Sequence, residues 1–464
     1  MKVLKGIAIV LTAISLQSCF VAKEYSRPEG IVDSALFRTD QLPQDSLSMA
    51  TVSWKTIFTD PILQSYIEEG LKNNMDIRIA LKQIDVANAY LKQGKAAYFP
   101  TLNAQARATH QEFSKSSQFG GQLSSADQFE ISGGLSWEAD IWGKIRSNKR
   151  AAEAGYLQTV AAHQAVKSRL VANIASIYYQ LLALDEQIRV TEETINTRES
   201  SLETTRALKD AGNVTEVGVK QTEAQVLNAR AILIDLKNQS RLMENTLSIL
   251  LGSNPRELNR GKLEDQNIDI ELRAGVPSEL LSNRPDVMAA EYTLIQAFEL
   301  TNAARSAFYP SLTLSATGGL QALEIDKLFD TGSLFATLAG GLTQPIFNQR
   351  RIKTQYEVSQ AQQEQAKLQF KNTLLRAGKE VSDAMFSIEA AEEKIEVKRE
   401  EKDAYNLAME YSQELLNNGF ANYLEVLTAQ ERSLASNLDM IAAENARLQA
   451  IIYLYEALGG GWQE

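Results

Sequence analysis

The chain has 464 residues, of which 44% are hydrophobic and 23% charged, with a formal net charge of −11. That acidity argues against nucleic acid as a partner, and a single cysteine excludes an internal disulfide. The length could hold about three ordinary domains, yet only 9 prolines leave long tracts free of helix breakers.

Lys2 and Lys5 open the chain, Gly6 to Ile14 is a short apolar run, and Leu16-Gln17-Ser18-Cys19 closes it. Residues 1–18 read as a signal peptide, too short to stay in a bilayer as a span. A lone Cys19 behind Leu-x-Ser resembles a bacterial lipoprotein signal. The resemblance implies cleavage before Cys19 and acylation of its thiol and new amino group; the alternative is a secretory signal with an incidental cysteine. Phe20 and Val21 follow, so the Asp that retains some lipoproteins in the inner membrane is absent. Beyond residue 18 no apolar run of about 18 residues occurs, so any membrane route must be a β-barrel. Residues 19–53 are expected to form a lipidated extended segment.

The remainder is written twice. Ala96 to Leu102 returns as Ser306 to Leu312, and Asn74-Met75-Asp76-Ile77 as Arg284-Pro285-Asp286-Val287, both 210 residues on. Asp140-Ile141-Trp142-Gly143 matches Pro345-Ile346-Phe347-Asn348, and Ala211-Gly212 matches Asn418-Gly419. Repeat 1 is expected over 54–251, a linker over 252–276, repeat 2 over 277–458 and a tail over 459–464. Each repeat reads as a helix, two strands and a long helical hairpin.

The strands are predicted at about 101–111, 128–142, 310–321 and 334–347. Leu102, Ala104, Ala106 and Ala108 alternate with Asn103, Gln105, Arg107 and Thr109; Leu312, Leu314, Ala316, Gly318 and Leu320 alternate with Thr313, Ser315, Thr317 and Gly319. Trp137, Trp142, Phe308, Tyr309 and Phe347 fall near strand ends, as interfacial aromatics or as packing at a strand–helix junction. The first long helix is predicted from about Ser147 to Asp210, ~95 Å long. Its seam (Ile174, Ile177, Leu181, Leu184, Ile188, Ile195, Leu202) has heptad spacing. The second runs from about Arg351 to Asn417. Gly-containing turns, Ala211-Gly212-Asn213 and Asn417-Asn418-Gly419, suit left-handed helix ends. Return helices follow from about Thr215 to Leu251 and Asn422 to Leu458, with Glu216 and Lys220 spaced for an i,i+4 ion pair.

Four strands cannot close a membrane barrel, which needs at least about eight. Two copies would give a barrel filled by its own side chains, whereas three leave a lumen. The expected fold class is mainly α with a small β part, internally duplicated. Long antiparallel hairpins form a periplasmic α-barrel, and four strands per chain contribute to a 12-stranded trimeric transmembrane β-barrel.

Leu251-Gly252, Val276-Pro277-Ser278 with Leu280-Leu281, Arg284-Pro285-Asp286 and the ending Tyr455 to Trp462, with the signal and the repeat, resemble the TolC-like outer-membrane efflux factors of the lipoprotein (NodT) branch over nearly the whole mature chain. The resemblance implies a homotrimer in outer-membrane lipid, a periplasmic membrane-fusion adaptor, an inner-membrane RND pump and passive conduction to the exterior. It places a periplasmic gate just after the Gly turns, with Leu424 in an apolar ring and Val217 as its repeat equivalent. Thr428 stands where relatives can carry a carboxylate, and Glu425 is a substitute one helix step away. Gly212, Asn213, Gly419 and Phe420 become the hairpin-tip contacts for adaptor or pump. Alternatives are the duct of a protein-secretion system and a coiled-coil lipoprotein without a pore.

An enzyme is not expected. His110 and His163 have no Cys, Ser or His partner at a useful spacing, no hydrolase, zinc or nucleotide motif is present, and no cofactor or metal is called for. Glu192-Glu193 and Glu392-Glu393 fall on polar heptad faces. Gly459-Gly460-Gly461 has no strand before it and is not a phosphate loop.

Overall fold

The computed structural model describes residues 21–31, 36, 49–114, 116, 125–266, 268 and 277–463; Cys19 and the signal segment lie outside them. In chain order the main elements are α1 (Pro61–Asn73), α2 (Met75–Ala96), β1 (Thr101–Glu112), β2 (Ser125–Ala139), α3 (Lys144–Asp210) and α4 (Glu216–Leu250). They are followed by α5 (Pro285–Ser306), β3 (Ser311–Ala322), β4 (Leu334–Thr343), α6 (Arg351–Asn417) and α7 (Tyr423–Leu458). No helix among the described residues is long and apolar enough to cross a membrane.

α3 and α6 are each 67 residues long, ~100 Å at 1.5 Å per residue. α3 starts three residues before the expected Ser147, because the Asp140 carboxylate accepts from the backbone N–H groups of Ile145 (2.8 Å) and Arg146 (2.9 Å). A side-chain cap of this kind satisfies donors that have no intrahelical partner. The same residue ends β2 at Ala139 rather than 142, and Gly143 turns the chain at φ +76°. The second copy makes this turn with Gln349 and Arg350 at φ +56° and +67°, which costs an L-residue of order 1 kcal/mol. β4 stops at Thr343, short of the expected 347: Pro345 has no N–H to offer a ladder. At the far end β1 and β2 run further than expected, to Glu112 and from Ser125.

The chain divides into two compact units. One holds the sheet, the residues of α2, α3, α5 and α6 nearest it, and residues 21–29. Here the N-terminal segment lies along α5. Arg27 donates to both oxygens of Glu291 (2.7 Å each), Tyr25 Oη donates to Glu291 (3.3 Å), and Lys23 exchanges two backbone bonds with the Asn302 amide (3.2 and 2.9 Å). Ala22 sits against Gly143.

The other unit holds the remainder of the helices. Its core includes Phe58, Leu63, Ile67, Tyr178, Tyr179 and Tyr455, all at most 1% exposed. Phe58 meets Tyr455 edge to face at 6.1 Å, and Tyr178 donates to Asp60 at 2.6 Å. Burial first, then this hydrogen bond, pushes the Tyr178 phenol well above its usual range. Of the predicted seam, Ile174, Leu181, Leu184, Ile195 and Leu202 are buried, while Ile177 and Ile188 are half-buried. Arg260 fixes the linker by pairing with Asp185 (2.5 Å) and Glu244 (2.6 Å).

The duplication extends to individual contacts. Asn74 donates to the Leu250 carbonyl at the end of α4 (2.9 Å); its counterpart Arg284 donates to the Ala457 carbonyl at the end of α7 (2.9 Å). Gly252 and Gly459 then leave those helices at φ +73° and +92°. A Cβ on either would collide with the backbone of Asn73 or Asn283 respectively. Two copies of one device thus join each return helix to the start of its repeat, and the Leu-Gly pairs at 251–252 and 458–459 are its sequence mark.

Candidate functional site

The sheet has the order β1-β2-β3-β4, all antiparallel. Its register assigns every side chain to a face, because residues directly opposite share one. Leu102 faces Leu135, Ala106 faces Ile131, Trp137 faces Leu314, Ala316 faces Leu338, and Leu312 faces Leu342. This face is apolar from Leu312 to Ala322, ten residue steps, or ~33 Å along a strand and ~25 Å at a 40° tilt. It ends in a polar pair, His110 Nδ1 with Asp127 Oδ1 at 2.6 Å. The other face opposes Arg107 to Glu130, Gln105 to Ser132, Ser136 to Ser315 and Thr317 to Thr337. Glu130 there accepts from Ser132 Oγ (2.6 Å) and Gln105 Nε2 (3.3 Å).

Among the described residues no element packs over either face, although Ser132 is itself buried within the sheet. β1 is exposed throughout, and Leu102, Leu334 and Leu338 are 74%, 73% and 84% exposed. Among the described residues β1 and β4 each keep one unpaired edge. A sheet apolar on one side, polar on the other and open at both edges is stable only closed against further strands, with lipid outside and water inside.

The aromatics divide. Trp142 stacks on Tyr309 (centroids 4.8 Å) and donates to the Pro310 carbonyl (2.8 Å), and Phe308 meets Tyr356 edge to face. These are junction contacts. Phe347 stands 88% exposed.

At the hairpin tips, Gly212 and Gly419 adopt φ +82° and +78°. Asn213 and Phe420 return backbone bonds to Leu208 (2.9 Å) and Leu415 (2.8 Å), the six-residue closure of a Schellman end. The tips touch: a Cβ on Gly218 would meet the Tyr423 ring at 3.1 Å. Asn422 caps α7, accepting from Leu424 (2.9 Å) and Glu425 (3.1 Å). Leu424 and Val217 are 54% and 61% exposed and Phe420 82%. The Thr428 hydroxyl donates back to the Leu424 carbonyl (2.9 Å), and Glu425 accepts from Asn422 Nδ2 (3.1 Å). The expected Glu216–Lys220 pair does not form: Glu216 takes Lys209 across the turn (3.1 Å) and Lys220 takes Glu223 (2.8 Å). Glu192, Glu193 and Glu392 are each in exposed ion pairs, with Lys237, Arg189 and Arg447, worth tenths of a kcal/mol. No cluster of three His, Cys, Asp or Glu fit to hold a metal occurs among the described residues.

Duplicated helical hairpins bearing a two-faced strand quartet define an outer-membrane channel of the α-plus-β-barrel class. The match to the outer membrane efflux protein family covers residues 66–253 and 276–460, and the chain belongs to that family. It is 29% identical to the probable efflux pump outer membrane protein TtgC of Pseudomonas putida, over 99% of this chain and 96% of that one. It is 28% identical to the probable outer membrane lipoprotein SilC of Salmonella typhimurium, over 98% of each. The open-state MtrE outer membrane channel of Neisseria gonorrhoeae superposes with TM-score 0.85 at 26% identity, over 96% of this chain and 99% of that one. The protein is therefore an outer-membrane efflux channel with a large periplasmic helical part. The secretion duct and the pore-free lipoprotein give way to this reading.

The sequence did not reveal the clip of residues 21–27 on Glu291, whose partners are more than 260 positions away. It also gave no warning of Arg198, buried in a seam otherwise read as apolar; its seven-residue spacing from Thr191 and Thr205 was the available signal.

Proposed function

We propose that three copies close one channel, with β4 of each copy pairing to β1 of the next, so that the apolar face meets lipid and the polar face lines a water-filled lumen. The two-faced, two-edged sheet carries this reading, since twelve strands leave an aqueous path where eight would not. Solutes cross passively. A periplasmic membrane-fusion adaptor and an inner-membrane RND pump deliver them, and no residue of this chain performs catalysis. Gly212, Asn213, Gly419 and Phe420 are the tip surface offered to these partners. Cys19 carries the lipid. The Arg27–Glu291 clip and the bond from Arg305 to the Val21 carbonyl (3.4 Å) support that assignment, holding the chain two residues beyond Cys19 beside the α5–β3 junction.

Leu424 forms the periplasmic constriction, with Val217 beside it. The Thr428 hydroxyl and one Glu425 carboxylate oxygen are engaged by their own helix and its cap, which favours an apolar gate over a carboxylate ring. Such constrictions close by dewetting. Leu424→Ser is accordingly expected to raise the current through planar bilayers roughly tenfold, a change equivalent to ~1.4 kcal/mol. Absence of current from both the parent and the variant would refute the channel; equal currents would move the gate elsewhere.

A further inference from the structure

The seam of α3 changes character along its length. Ile174, Leu181 and Leu184 are apolar and buried, but Thr191, Arg198 and Thr205 occupy alternate seam positions toward the tip and are 0%, 2% and 3% exposed. The threonines satisfy themselves by donating to the Gln187 and Ser201 carbonyls one turn back. Arg198 has no such recourse. Its Nη1 donates to the Gln225 carbonyl (2.8 Å) and Oε1 (3.1 Å), its Nε has no acceptor, and no carboxylate among the described residues stands within ion-pair range. Burial lowers its pKa, against the opposing pull of the Glu431 charge.

A matching deficit lies on α7, which bonds to α3 at Ser201, three residues beyond Arg198. Gln430 of α7 is 2% exposed, and its Nε2 donates to Ser201 Oγ (2.7 Å). The one hydroxyl proton of Ser201 goes to Gln413 Oε1 (3.2 Å). Ser201 must therefore accept from Gln430, which fixes the amide orientation and leaves Gln430 Oε1 without a donor. A buried donor lacking an acceptor and a buried acceptor lacking a donor thus occur on two helices in contact, and each costs of order 1–3 kcal/mol unpaired. Glu431, the next residue, is exposed and is the carboxylate whose charge reaches Arg198.

We propose that Arg198 is a positioning residue for the gate, holding the tip-side seam in one of two packings. In the packing seen here it rests on Gln225. In the other, α7 shifts against α3, Gln430 leaves Ser201, and Arg198 pairs with Gln430 Oε1 and the Glu431 carboxylate. Leu424, six residues earlier on the same helix, moves with that shift and widens the constriction. Close-packed seams change by such discrete steps rather than by gradual deformation. This inference rests on the assignment of Leu424 as the constriction.

The test compares the full-length channel in planar bilayers with Arg198→Met, Arg198→Lys and Glu431→Gln, alongside thermal melting of each. Arg198→Met is expected to open about tenfold less often while melting at a higher temperature, because it removes an unpaired buried cation. Glu431→Gln, an exposed change that should fold normally, is expected to open less often with an unaltered melting point, and Arg198→Lys to retain opening. A merely structural Arg198 would shift melting and leave opening untouched. If Arg198→Met and Glu431→Gln both open as often as the parent, the two-packing proposal is wrong although the channel stands. A parent without current would remove channel and proposal together.

Discussion

Leu338→Arg is expected to abolish assembly in the outer membrane, while Thr337→Arg, one residue away, assembles normally and changes only the ionic selectivity of the current. Leu338 lies mid-strand in β4 opposite Ala316, on the apolar face, and Thr337 lies opposite Thr317 on the polar face. A cation at the lipid midplane costs about 2–4 kcal/mol. Three copies would multiply that to ~6–12 kcal/mol, comparable with the whole stability of an ordinary folded chain. The same charge facing water in a lumen costs little. The fraction of heat-modifiable oligomer recovered from outer membranes measures both variants. Equal recovery would mean that the register does not separate a lipid face from a water face.

Arg284→Met is expected to destabilise the periplasmic helices by about 2 kcal/mol, less than the ~3–5 kcal/mol of a wholly buried pair, because the Asp286 and Glu380 side chains stay 40% and 34% exposed. Arg284 is 8% exposed and joins Asp286 (2.6 Å), Glu380 (2.6 Å) and the Ala457 carbonyl (2.9 Å). Burial opposes the charge on both Arg284 and Asp286, but their mutual hydrogen bond and attraction override it, raising the guanidinium and lowering the carboxyl. Since Asp286 titrates below its ordinary 3.8, its contribution is present above that value and is lost as pH falls through the depressed folded-state pKa. Without the arginine, burial raises the carboxyl, opposed only by backbone N–H donors such as that of Val287 (2.9 Å). The deficit of Arg284→Met against the parent should therefore be largest near pH 7 and shrink toward pH 4. A deficit independent of pH would show that the cost is lost packing, not unpaired charge.

Much of this was legible in the sequence because both periodicities are strong. The seam from Ile174 to Leu202 and the alternation from Leu312 to Leu320 needed no tertiary information to be read. The Leu-Gly pairs at 251 and 458 marked positions where only glycine fits. Boundaries were less legible where side chains intervened. Asp140 could have extended β2, but as a cap it begins α3 instead, and Pro345 withholds the donor that would have prolonged β4. Pairing was the least legible. Glu216 and Lys220 have ideal spacing, yet each found a nearer partner, and the Arg284 network spans residues 284 to 457. The separation of the sheet faces required the register, which alternation within single strands does not provide.

The most direct test is cryo-EM of the intact channel extracted in detergent, resolved well enough to count strands. A three-fold particle is expected, with twelve strands around an open lumen, β4 of each copy hydrogen-bonded to β1 of its neighbour, and Leu338 outside. A monomer, or a dimer with no lumen, would contradict it.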